Sequence, residues 1–112
     1  MAIYITQGRY TEQAMKGMID SPEDRKKAVE ALMSSVGAKL LQYYVTLGEY
    51  DFLVITEGEN LSDLTAGLMI AGSTGGVTNL KTFQAMTTQE AKAAMEKANA
   101  VRATFKPAGA AS

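Results

Sequence analysis

The sequence predicts an α+β domain of βαββαβ order with one more helix at its C-terminal end. Three observations predict it. Short runs rich in Ile, Val, Tyr and Thr alternate with stretches whose apolar residues recur every three or four positions. Two of the strand-like runs stand three residues apart, a hairpin spacing that includes a glycine. The cap and turn residues fall between the periodic segments rather than inside them.

The first strand is expected over residues 2–8, where Ile3, Tyr4, Ile5 and Thr6 are β-branched or aromatic and Gly8 closes the run. Residues 10–37 read as helix in two pieces. Thr11 is the N-cap expected for the first, which carries Ala14, Met15, Met18 and Ile19. The second should open at Ser21-Pro22, with Ser21 capping, Pro22 in the first helical position, and Glu23 and Asp24 at the positive end of the helix dipole. Its stripe is Ala28, Val29, Leu32, Met33 and Val36, and Gly37 stands where a glycine in the left-handed region ends a helix. Strands follow over 38–47 and 51–57, separated by Gly48-Glu49-Tyr50. Asn60 should cap a helix over 60–73 bearing Leu61, Leu64, Leu68 and Ala71. The glycines of 72–76, Gly76 last, turn the chain into a strand over 77–86. Thr87 and Glu90 match a capping box for a helix over 88–103. One domain over 1–104 and a disordered tail over 105–112 complete the reading.

Composition narrows the chemistry. The chain has 112 residues, a net charge of −1, and neither cysteine nor histidine. Disulfides, thiolate sites and cysteine nucleophiles are therefore out, as are the commonest general base and the usual metal and haem ligand. No metal and no cofactor is expected. The near-zero charge gives no field to recruit nucleic acid or anionic lipid. No apolar run approaches the roughly 18 residues of a spanning helix, and the opening Met1-Ala2-Ile3-Tyr4 does not read as a signal peptide, so a cytoplasmic location is expected.

The element order is that of a ferredoxin-like antiparallel sheet with its helices on one face. A sheet with one wet face should alternate cleanly between apolar and polar residues. In 38–47, Leu41, Tyr43, Val45 and Leu47 fall on one parity and Leu40, Gln42, Tyr44 and Thr46 on the other; in 51–57, Leu53 and Ile55 oppose Phe52, Val54 and Thr56. Neither parity is polar, so the second face wants cover. A homo-oligomer is expected to supply it; the C-terminal helix folding back is the other way to do so.

The hairpin segment Leu47-Gly48-Glu49-Tyr50-Asp51-Phe52, the Asp20-Ser21-Pro22 break and the Gly76-Val77-Thr78-Asn79 segment resemble the GYD domain family over about residues 2–95. The resemblance implies a largely bacterial family without a well-established activity, with a fold like that of the dimeric α/β-barrel group, whose sheets pair face to face.

Candidate site residues are few. Tyr50 and Asp51 could line a pocket at the end of the sheet, Tyr50 as hydrogen-bond donor and Asp51 as base or orienting group, with Lys81 as a charge partner. Tyr4 and Tyr43 could wall a site for a flat apolar ligand, though aromatics on a sheet more often fill a core or an interface. Gly37, Gly48 and Gly76 are turn residues. Arg25-Lys26-Lys27 reads as a solvated helix face with pairing such as Lys26 to Glu30, and the methionines Met15, Met18, Met33, Met69 and Met86 as core filler. The expected function is an oligomeric small-molecule-binding or assembly module. The alternative is a small cofactor-independent enzyme on an apolar or phenolic substrate, using Tyr50, Asp51 and Lys81.

Overall fold

A computed structural model describes residues 1–109. Four antiparallel strands form one sheet in the order β2-β3-β1-β4: β1 is Ala2–Tyr10, β2 Lys39–Val45, β3 Phe52–Gly58 and β4 Val77–Ala85. Helices α1 (Glu12–Asp20) and α2 (Lys26–Ser35) lie between β1 and β2, and α3 (Leu61–Ser73) between β3 and β4. This is the ferredoxin-like arrangement. Helix α4 (Thr88–Val101) and a 3-10 turn over Arg102–Thr104 follow. The tail expected over 105–112 reaches beyond the described residues, and its last three lie outside them.

Local chemistry explains most boundaries. The Thr11 hydroxyl accepts the Ala14 N–H, and the Asn60 side chain accepts that of Asp63, so both helices start where a cap satisfies an orphan donor. α2 ends with the Gly37 N–H donating to the Ser34 carbonyl and the Ala38 N–H to that of Met33, with Gly37 at φ +89°. That pair of bonds needs a residue in the left-handed region, which glycine adopts without steric cost.

Several expectations are corrected. β1 does not stop at Gly8 but runs on to Tyr10. Gly8 is buried within the strand because the Phe52 ring and the Leu80 side chain occupy the space a Cβ would need. Opposite it, β4 carries an irregularity in which Asn79 turns to φ 53°. Ser21 and Pro22 do not open α2. Residues 22–24 are non-helical, and the Lys26 N–H is held by the Asp24 carboxylate instead. Gly76 lies in the turn after α3 as expected, with the positive φ of that turn at Gly75. Of the methionines, Met33 is buried, while Met15, Met69 and Met86 are exposed.

The core lies between the sheet and helices α2 and α3. Tyr4, Met33, Ala38 and Leu64 form one cluster, Leu40, Phe52 and Val54 a second, and Val29 of α2 packs against both. The even-numbered residues of β1 and β3 point into it, with Thr6 and Thr56 almost fully buried. On β2 the parity is broken by a register shift between Leu40 and Gln42. Leu40, Tyr43 and Val45 therefore share the helix side, and Gln42 and Tyr44 share the other. The strict alternation expected for this strand does not hold, because one extra residue shifts its phase.

The second face of the sheet carries Ile3 and Ile5 of β1, Leu53 and Ile55 of β3, Tyr44 of β2 and Phe83 of β4. Tyr44 and Phe83 are 52% and 44% exposed, so no described element covers them. α4 does not fold back over this face. It starts at a complete capping box, with the Thr87 hydroxyl accepting the Glu90 N–H and the Glu90 carboxylate accepting that of Thr87, and none of its residues is buried. The radius of gyration is 18.9 Å and the long dimension 66 Å, against about 13 Å for the radius of a compact chain of this length. The difference reflects a helix held out from the body.

Candidate functional site

The helix side of the sheet holds a cavity of about 430 Å³ between α1, α2, α3 and residues of β1, β2 and β4. A second of about 310 Å³ adjoins it and shares Tyr10, Met18, Glu23, Arg25 and Tyr43 as common wall. Apolar side chains supply most of the larger space: Ala14 and Met18 from α1, Val29 and Leu32 from α2, Ile70 from α3 and Val77 from β4.

Its polar end is built by strand parity. Tyr10 extends the helix-facing row of β1, and the shift in β2 brings Tyr43 to the same side. The strands that carry them are not neighbours, since β3 runs between, but the phenol oxygens meet at 2.6 Å above Phe52. The Phe52 ring centroid is 5.1 Å from that of Tyr10 and 6.1 Å from that of Tyr43, so the three rings form one tilted stack. Burial, reinforced by the hydrogen bond to Tyr43, holds the Tyr10 phenol well above its ordinary 10.0. A phenol in that position stays protonated at neutral pH and offers a hydrogen bond, not a base.

Arg25 stands at the rim, its guanidinium donating to Glu23 at 2.5 Å. Arg25 is exposed, as expected of this basic run. Arg25 lines both cavities, and among the described residues Lys26 has no ion pair with Glu30.

The residues singled out from sequence lie apart. Tyr43 is in the cavity wall. Tyr4 is buried in the core beneath α2 and α3. Lys81 is exposed on β4 opposite Gln7, on the helix-free side. Asp51 fastens the hairpin: its carboxylate accepts the Tyr10 N–H at 2.9 Å, its own N–H donates to the Gly8 carbonyl, and its carbonyl accepts the Thr46 N–H. Tyr50 is half-buried, and its carbonyl accepts the Thr46 hydroxyl. Gly48 adopts φ +147° in this turn. None of Tyr50, Asp51 and Lys81 lines either cavity. Tyr10 and Arg25 were missed. Tyr10 was legible as the fourth member of the even-numbered row Tyr4, Thr6, Gly8, Tyr10, whereas Arg25 carried no local signal.

Among the described residues no group of three or more Asp or Glu is placed to hold a metal ion, and no helix is long and apolar enough to cross a membrane.

Comparison with known proteins supports the same frame. The family model of the GYD domain matches residues 4–95. A Thermus thermophilus protein described as a glutamine synthetase and cystathionine beta-lyase binding protein is 25% identical over 77 residues, covering 69% of this chain and 81% of its own. Among solved structures, MtbAldR superposes with a TM-score of 0.53 at 10% identity, over 77% of this chain and 52% of that one, a likeness of fold alone. A crystal structure from Thermus thermophilus gives a TM-score of 0.48 at 18% identity, over 78% of this chain and 95% of that one.

Proposed function

The chain belongs to the GYD domain family, and on that premise we propose that it is a self-associating, non-catalytic binding module whose helix-free sheet face pairs with a second copy. The observation that carries the proposal is the row of Ile3, Ile5, Leu53, Ile55, Tyr44 and Phe83, with α4 turned away from it. Both central strands carry apolar residues on both faces, with Gln7, Arg9 and Glu57 at the margins of the helix-free one, a pattern that fits a sheet covered twice. An apolar patch rimmed by Lys39, Gln42 and Lys81 supports an interface at this face. A two-fold pairing satisfies it with no other component.

The Thermus relative is named for binding two enzymes. That name supports a protein partner of the same kind for the assembled module, with residues 1–104 as its working unit. None of Tyr50, Asp51 and Lys81 lines either cavity, which favours binding over acid–base catalysis there.

Light scattering after gel filtration, across a hundredfold range of concentration, tests the pairing. The expected mass is twice 12.0 kDa or a higher multiple. Phe83→Glu, which sets a charge on the edge-strand side of the apolar row, should shift the protein to monomer without loss of helix content. A wild-type monomer at every concentration overturns the proposal. Co-sedimentation with purified glutamine synthetase tests the partner class separately.

A further inference from the structure

Going beyond self-association, we infer that the helix-side cavity is a binding site for a small apolar monocarboxylate, its carboxylate held between Arg25 and the Tyr10–Tyr43 pair. The larger cavity, at about 430 Å³, falls within the roughly 300–1,000 Å³ of small-molecule sites. Its apolar walls, from the partly buried Met18, Val29 and Leu32 and the exposed Ile70, suit a hydrocarbon body. Tyr10, Tyr43, Arg25 and Glu23 stand where the two cavities meet, and three of the four are donors; Ser21 and Thr74 line the larger cavity apart from them. Two phenol hydroxyls share one hydrogen bond, so one proton of the pair remains to be donated. The Arg25 guanidinium has five N–H groups, of which one is engaged by Glu23. A donor-rich end on an apolar cavity selects an acceptor, and the fixed positive charge selects an anionic one; a carboxylate fits the planar fork of arginine.

The other charged groups at this place are Glu23, Asp24 and Lys26, and beside it Asp51, whose carboxylate is spent on the Tyr10 N–H. Glu23 is the carboxylate that engages Arg25, and it is more than half exposed, free to swing into solvent. Asp24 and Lys26 sit at the edge of the smaller cavity with opposite charges, and Asp24 is spent on the Lys26 N–H. Glu23 therefore competes with the ligand for Arg25. Removing either member of the pair must have opposite effects, which a merely structural ion pair would not give.

Phenylacetate is the probe, with phenylacetamide as its neutral counterpart of the same shape. Amide-resolved NMR titration of the full chain should show saturable shifts at Tyr10, Arg25, Val29 and Tyr43 for the acid, and binding at least about tenfold weaker for the amide. Arg25→Gln should weaken the acid about tenfold and leave the amide unchanged. Glu23→Gln should tighten the acid about two- to fivefold. The inference is overturned if acid and amide bind equally, if the shifts map elsewhere, if Glu23→Gln weakens the acid, or if neither probe binds at about 10 mM, far above the range of useful affinity. None of these outcomes depends on the oligomeric state.

Discussion

The phenol of Tyr10 and that of Tyr43 are joined at 2.6 Å across a strand to which neither belongs. The bond ties the end of β1 to β2 over Phe52 of β3, so it closes the sheet on its helix side where the cavity begins. A double-mutant cycle with Tyr10→Phe and Tyr43→Phe should return a coupling of about 1 kcal/mol, the usual net worth of such a bond. Two additive single effects would show that the pair is mere proximity.

The same pair sets a pH dependence. The folded Tyr10 phenol lies above its unfolded value of 10.0, chiefly through burial. The unfolded chain therefore loses this proton first as pH rises. The stabilisation is complete below pH 10.0 and is lost as pH climbs from there toward the folded value. Urea midpoints measured from neutrality upward should fall more steeply for the wild type than for Tyr10→Phe, and only above about pH 10. Identical profiles would remove Tyr10 from the account.

Asp51 fastens the hairpin to β1 through the Tyr10 N–H. Asp51→Ala should cost about 1–2 kcal/mol in denaturant unfolding, while Asp51→Asn, which keeps a carbonyl acceptor, should cost clearly less. Equal losses would mean that charge, and not the hydrogen bond, is what Asp51 supplies.

Two glycine-to-alanine changes should have opposite signs. A Cβ on Gly8 would lie 2.5 Å from the Phe52 ring and 2.8 Å from Leu80, so Gly8→Ala should destabilise by about 1–3 kcal/mol. Gly17, inside α1, has nothing within 4 Å of such a Cβ, and Gly17→Ala should stabilise by about 0.5–1 kcal/mol. Thermal midpoints of the two variants check both.

Thr56 is 1% exposed, and its hydroxyl has no hydrogen-bond partner among the described residues. Replacing that hydroxyl by a methyl group removes the desolvation penalty while keeping the shape. Thr56→Val should therefore raise stability, by up to about 1 kcal/mol. A fall in the thermal midpoint would show that a partner, such as a bound water, satisfies it.

The fold was legible because its order rests on local signals that each have a physical cause. Asn60, Thr87 with Glu90, and Gly37 sit where caps are needed and do what their side chains or backbone freedom allow. Ser21 and Pro22 carried an equally good start signal, yet the chain satisfies the first donor of α2 from Asp24 instead. Gly8 looked like a terminator because its real reason for being glycine, the Phe52 ring, comes from another strand. The shift at Leu40–Gln42 leaves no mark in sequence, since every residue there is compatible with either phase. The site suffered most. Tyr43 could be singled out, but Tyr10 lay past the expected end of β1, and the approach of Arg25 to both is set by how α2 rests on the sheet.

Strand β3 is one residue thick, and consecutive side chains on it belong to different surfaces. Phe52 supports the phenol pair at the cavity, and Leu53 belongs to the open face. What occupies the cavity and what covers the sheet thus press on the two sides of one backbone. Linkage then runs both ways: if a molecule in the cavity favours the geometry in which two sheets meet, their meeting tightens the hold on that molecule by the same factor.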